Sequence, residues 1–165
     1  MARSPSPGAR IVALWKRLEG LPGGRWAFSR ILGRLIPYTG TLGCRVELLE
    51  AGRARVVLRD RRQVRNHLTS VHAVALTNLG ELTCGLALTA ALPPSVRGIP
   101  VALESDFLKK ARGVVVAECR CEAPAVTDPL EHTVVAGIRD SEGDEVAVVR
   151  VRWRLAPIPP VLDGA

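Results

Sequence analysis

The chain has 165 residues, 47% of them apolar and only 4% aromatic, and carries a formal charge of +7. That length fits one domain with a real core, and the apolar content excludes disorder, leaving Val, Leu, Ile and Ala to build the interior. Residues 1–36 hold seven basic residues and one acidic one, so the rest is close to neutral, which excludes a nucleic-acid-binding core with its basic face and stacking aromatics.

Residues 1–10 read as a loose tail. Two short amphipathic helices follow, Ile11 to Leu18 and Arg25 to Ile36, parted by Gly20-Leu21-Pro22-Gly23-Gly24. The second sets Trp26, Ile31, Leu35 and Ile36 among Arg25, Arg30 and Arg34, a pattern that suits a helix covering its own domain or one touching a membrane surface. Pro37-Tyr38-Thr39-Gly40 reads as a turn into β structure. Thr41 to Glu50 and Arg53 to Asp60 then form a hairpin through Ala51-Gly52.

The stretch Asn66 to Leu92 organises the rest. Thr69 and Ser70 can cap a helix that Pro93-Pro94 ends. Val71, Val74, Ala75, Leu79, Leu82, Leu86 and Ala87 spread over several faces, so this helix is buried all round. It is long enough to span a bilayer, but His72, Asn78, Gly80 and Glu81 and the amphipathic flanks favour the central helix of a soluble domain. Beyond it, Ile99 to Lys110, Gly113 to Cys121, His132 to Asp140 and Glu145 to Leu155 read as four strands, the last two joined by the turn Ser141-Glu142-Gly143-Asp144. Two strands, one helix and four strands without a β-α-β repeat make an α+β fold, an antiparallel sheet wrapped around one helix. The domain boundaries expected are 1–36, a basic helical extension, 37–156, the main domain, and 157–165, a tail.

Glu81 is the one charged side chain in that helix. A buried carboxylate costs several kcal/mol unless it is paired, solvated or protonated. It is either a wetted rim group or a general base or nucleophile beside an apolar site. His72 stands nine residues earlier, roughly 13 Å away on another face, so one subunit cannot place both on one atom. Two antiparallel copies related by a two-fold axis could.

Cys44, Cys84, Cys119 and Cys121 lack metal-ligand spacing and read as reduced packing residues of a cytoplasmic protein. His67 and His132 have no evident partner, and no metal site is expected.

The helix sequence RNHLTSVHAVALTNLGEL, with YTGTLG before it and FLKKARG after, resembles bacterial hotdog-fold proteins of the acyl-coenzyme A thioesterase type, over about residues 40–155. Asn66, His72 and Glu81 match the family's Asn, His and acid in spacing, while Ala73-Val74 stands in place of Gly-Gly and Pro100-Val101-Ala102 where a Ser or Thr is common. The resemblance implies hydrolysis of an acyl-coenzyme A thioester in a homodimer or dimer of dimers, with no cofactor beyond the coenzyme A of the substrate. Glu81 of one subunit would activate water or attack the thioester, the backbone N–H of Ala73 in the other would hold the oxyanion, Asn66 would orient water or carbonyl, and His72 would bond nearby. Arg61, Arg62, Arg65, Lys109, Lys110 and Arg112 are the candidates for the coenzyme's phosphates. The competing readings are a binding module with the same tunnel and no turnover, and a membrane-surface protein acting through residues 1–36.

Overall fold

The computed structural model describes residues 7–158. Residues 1–6 of the expected tail, and 159–165 of the C-terminal one, lie outside the described residues. Residues 7–10 belong instead to the first turn of α1, Pro7–Leu18, since Pro is well tolerated in a helix's first turn. Next comes α2, Gly24–Leu35, which turns its Phe28 and Leu32 to the interior. Trp15 of α1 meets Phe28 edge-to-face at 5.0 Å, and both are fully buried in the core that also holds the sheet and the central helix. The basic segment is therefore part of the domain's packing. The side chains that made α2 look amphipathic are the ones left outside: Trp26 is 64% exposed and Leu35 62%.

The turn expected at Pro37 to Gly40 is a short helix, α3, Pro37–Leu42. Proline at the first helical position needs no N–H partner and presets the helical φ, and Gly43, with φ +59°, ends the helix in the left-handed region where glycine is at ease. Strand β1 accordingly starts late, at Arg45, and runs to Glu50. It pairs with β2, Arg53–Arg59, as the hairpin pattern requires.

The central helix α4 spans Ala73–Ala91, three residues later than its polar start suggests. Asn66 is the reason. Its Oδ1 accepts from the Leu68 N–H (2.9 Å), the Ser70 N–H (3.2 Å) and the Ser70 hydroxyl (3.1 Å), closing a loop in which Thr69 takes φ +57°. A β-branched residue so placed cannot continue a right-handed helix. His72 is the cap, its Nδ1 accepting the Val74 N–H at 3.1 Å. At the other end the helix stops before Pro93-Pro94, as expected.

Four strands follow: β3, Val96–Phe107; β4, Val114–Arg120; β5, Leu130–Arg139; and β6, Glu145–Pro157. All six form one antiparallel sheet in the order β1-β2-β4-β5-β6-β3. Its concave face closes on α4, burying Leu79, Leu86 and Leu88 against Val56, Leu58, Val115, Ile138, Val149 and Val151. By length and composition α4 could cross a membrane, but here it is the core helix that the strands enclose. The opposite face is polar, with ion pairs such as Arg55 to Glu47 (3.2 Å) and Arg150 to Asp106 (2.6 Å). Together, this is the hotdog architecture.

Helix and sheet approach closely at Gly80, where an added Cβ would stand 2.4 Å from the Cβ of Val149. Gly80→Ala is therefore expected to destabilise the protein although alanine gains about 1 kcal/mol in helix propensity, because overpacking a core costs about 1–3 kcal/mol. Thermal unfolding measures the balance, and an unchanged or raised Tm would show that β6 yields to the extra methyl.

Candidate active site

The loop before α4 builds one half of the site. Asn66 spends its carbonyl on the loop, and the Val71 N–H donates to the Ala111 carbonyl (2.8 Å), which ties the FLKKA segment to the helix start. A cavity of about 310 Å³ opens there, lined by Asn66, Ser70, Ala73, Leu76, Phe107 and Lys110 among others. The Ala73 N–H faces no acceptor among the described residues, whereas the Val74 N–H is taken by His72. One donor is thus free at a helix N-terminus, where the backbone favours negative charge. The structure brings Asn66, Ala73 and Lys110 together and gives His72 to the cap.

Glu81 lies two and a half turns on, roughly 13 Å along the axis. It is half-buried, and no hydrogen bond or ion pair reaches its carboxylate among the described residues; burial alone lifts its pKa above the usual carboxylate range. Its Oε1 comes to 4.0 Å of the Cβ position of Gly85, and the indole of Trp153 on β6 comes to 3.3 Å of the same point. Trp153 faces His132 across β5 and β6, and Trp153 Nε1 and His132 Nε2 are both buried without a partner among the described residues. The Glu81 carboxylate and the Trp153 indole therefore share one flank of α4, with His132 beside Trp153 in the sheet. The histidine that lacked a partner in the sequence gains a neighbour here.

One turn before Glu81 on the same flank, Thr77 shares a hydrogen bond of 2.9 Å with Ser105 of β3. Pro100-Val101-Ala102 carries no hydroxyl, and Ser105 lies three residues beyond it on the same strand. Neither Ser105 nor Trp153 stands out from the sequence alone. The alternating VRVRWRL places Trp153 inward, but only register sets it beside Gly85.

The basic candidates divide. Lys110 lines the helix-start cavity. Lys109 is enclosed by Asp140 (3.0 Å), Glu142 (3.1 Å) and Asp144 (2.6 Å), so its charge is already matched, and it fills the only three-acid group among the described residues. Arg65 pairs with Asp60 at 2.6 Å, and Arg61 donates to the Thr41 carbonyl at 2.9 Å. Arg62 and Arg112 are exposed near the same loop.

The raised pKa has a consequence for stability. A neutral Glu81 suits its surroundings, so the folded protein binds this proton more tightly than the unfolded chain. Stability from this group is fully present below the unfolded value of about 4.3 and is lost as pH rises through the folded value. Glu81→Gln is therefore expected to raise Tm at pH 8 and to lose that advantage by about pH 4. Equal differences at both pH values would sink the idea that the carboxylate is held against its preference.

A family profile described as "Domain of unknown function (DUF4442)" matches residues 24–155. No curated protein matches the sequence. Among solved structures, a structural-genomics protein shares 26% identity over 90% of this chain and 99% of its own, with a TM-score of 0.79. A protein from Pseudomonas aeruginosa, described as of unknown function and a probable thioesterase, shares 24% over 83% and 97%, at a TM-score of 0.72. A thioesterase from Haemophilus influenzae shares 14% over 79% and 92%, at 0.64. With that match over most of its length and these folds beside it, the chain belongs to the DUF4442 family and has the fold of the hotdog thioesterase superfamily.

Proposed function

We propose that the protein hydrolyses an acyl-coenzyme A thioester at two equivalent sites of a homodimer. The observation that carries this reading is Glu81: an unpaired, partly desolvated carboxylate on an otherwise apolar helix, in a fold whose solved relatives include proteins named thioesterases. Such a group is costly to keep, and a general base is what it is suited to be.

The second half of each site would come from the partner. Strand β3 hydrogen-bonds to β6 on one side only. Leu103 and Phe107 lie opposite Val151 and Ala147 and so point to the inner face, yet they are 52% and 50% exposed. Inward apolar side chains beside an open sheet edge suit a second copy of the same strand. The helix-start cavity sits at the Phe107 end of β3, and Trp153 pairs with Pro100 at the other. An antiparallel β3 pair centred near Leu103 would bring the cavity of one subunit toward Glu81 of the other, so the distance that separates the half-sites within one chain is bridged between two.

In that arrangement Glu81 takes a proton from water as the water oxygen bonds to the thioester carbon. The partner subunit's Ala73 N–H holds the oxyanion that forms. As the intermediate collapses the C–S bond breaks, and the proton passes from Glu81 to the departing coenzyme A sulfur, leaving a carboxylic acid and a thiol. Lys110 and Arg112, at the cavity and beside it, are the groups placed for the coenzyme's phosphates. Reduced thiols suit the cytoplasm; burial pushes the Cys44 thiol up to about 12, so it stays neutral.

A second reading, a binding module without turnover, is favoured by one feature. Ala73-Val74 replaces the paired glycines of the thioesterases it resembles, and Val74 stands exposed at the helix start. The test is a panel of acyl-coenzyme A substrates from short to long chain, followed by thiol release. Turnover of any of them supports the enzyme; no turnover together with a raised Tm in acyl-coenzyme A identifies the binding module.

A further inference from the structure

Beside α4 lies a second cavity, of about 390 Å³, between α2, α3 and the β1–β2 edge of the sheet, with Leu82 on its wall and Glu81 not among its lining residues. Five arginines line it, Arg30, Arg34, Arg45, Arg59 and Arg61, and no Asp or Glu does. Two of the five have partners elsewhere: Arg45 pairs with Glu47, and Arg61 donates to the Thr41 carbonyl. Arg30 lies 6.0 Å from the Trp26 ring, and neither it nor Arg34 nor Arg59 has a carboxylate partner among the described residues.

Like charges gathered at one concave surface repel one another, and guanidinium groups without counter-ions favour an anion that can accept several N–H bonds at once. Glycines let the lining pack closely: a Cβ on Gly40 would meet the Gly33 carbonyl oxygen at 2.1 Å, and one on Gly43 would meet the Arg61 guanidinium at 2.6 Å. Thr39, only 6% exposed, also lines the cavity. Its Oγ1 accepts from Asn78 Nδ2 at 3.2 Å, which leaves the hydroxyl hydrogen to donate into the space.

We propose that this cavity binds a phosphate-bearing ligand, its phosphate or diphosphate held by Arg30, Arg34 and Arg59 with the Thr39 hydroxyl beneath. Arginine's fork of donors matches phosphate oxygens two at a time. Glu81 does not line this cavity, so the site stands whether or not the thioester is hydrolysed. Its phosphate can come from a soluble compound or from a lipid headgroup, because the mouth opens beside the exposed Trp26.

The test is titration calorimetry of the full-length protein with pyrophosphate and inorganic phosphate in 0.15 M salt, where long-range attraction is largely screened, alongside co-sedimentation with phosphatidylcholine vesicles with and without phosphatidic acid. Arg34→Gln/Arg59→Gln is compared with Lys16→Gln/Arg17→Gln, which removes two charges from α1 outside the cavity, and unfolding curves confirm that both variants fold. One-to-one binding of pyrophosphate or phosphate, weakened at least tenfold by the first pair and little changed by the second, establishes the site for a soluble ligand. Binding confined to phosphatidic acid vesicles and lost with the first pair establishes it for a headgroup. No binding in either arm, or equal losses in both variants, overturns the proposal.

Discussion

Glu81→Gln is expected to lower the rate of acyl-coenzyme A hydrolysis at least about a hundredfold, the lower range for loss of a positioned base, while leaving fold and dimer intact. The amide keeps the shape of the carboxylate and cannot take the proton from water. Because the half-sites are proposed to come from different subunits, a second result follows. A variant blocked at the helix start, Ala73→Pro, lacks the free N–H and is equally inactive, since proline at a first helical position keeps the helix but removes the donor. When the two inactive proteins are unfolded together and refolded, heterodimers form with one site carrying both lesions and the other carrying neither. About a quarter of the wild-type activity should return, since random pairing makes half the dimers mixed and each mixed dimer has one of its two sites intact. Activity that stays at background after verified exchange would place the whole site in one chain.

The second large effect concerns the open edge of the sheet. Leu103→Lys puts an ammonium on the inner face of β3, where the neighbouring positions on β6 are fully apolar. In a monomer the lysine reaches water; in a β3-paired dimer it is buried, and the two-fold axis buries it twice. An unpaired buried charge costs about 3–5 kcal/mol, so dimerisation should weaken by three orders of magnitude or more. Analytical ultracentrifugation is expected to find a folded monomer, with hydrolysis falling in step with the dimer fraction. A Leu103→Lys protein that remains dimeric at micromolar concentration would move the interface away from β3 and take the composite site with it.

The fold was readable because two periodicities are clean. Alternation in Arg53 to Arg59 and in VRVRWRL marks strands, and an apolar run without basic residues marks the enclosed helix. Boundaries were less visible where a side chain competes with the backbone. Asn66 draws three hydrogen bonds to itself and delays α4 to Ala73, and Pro37 starts a helix where proline more often starts a turn. At the candidate site, the spacing of Asn66, His72 and Glu81 gave candidates by resemblance, but not that His72 Nδ1 serves the cap or that Lys109 is matched by three acids. Those depend on partners some 30 residues away or on which nitrogen a ring turns inward. The arginines of the second cavity were hidden for the same reason: Arg34 lies on α2 and Arg59 on β2, and only the packing of those elements sets both around one cavity.

The order of the strands also governs how the molecule is made. Among the described residues β3 has β6 as its sole neighbour, and β6 is the last of their elements in sequence, inserted between β5 and β3. A chain synthesised from its N-terminus therefore carries β3 with both edges open, and α4 with one flank bare, until residues 145–157 arrive. Joining strands so far apart in sequence is slow, and exposed edges attract other chains meanwhile. The nascent chain is thus exposed to misassociation until β6 closes the sheet, and deletion of β6 is expected to abolish the fold rather than trim it.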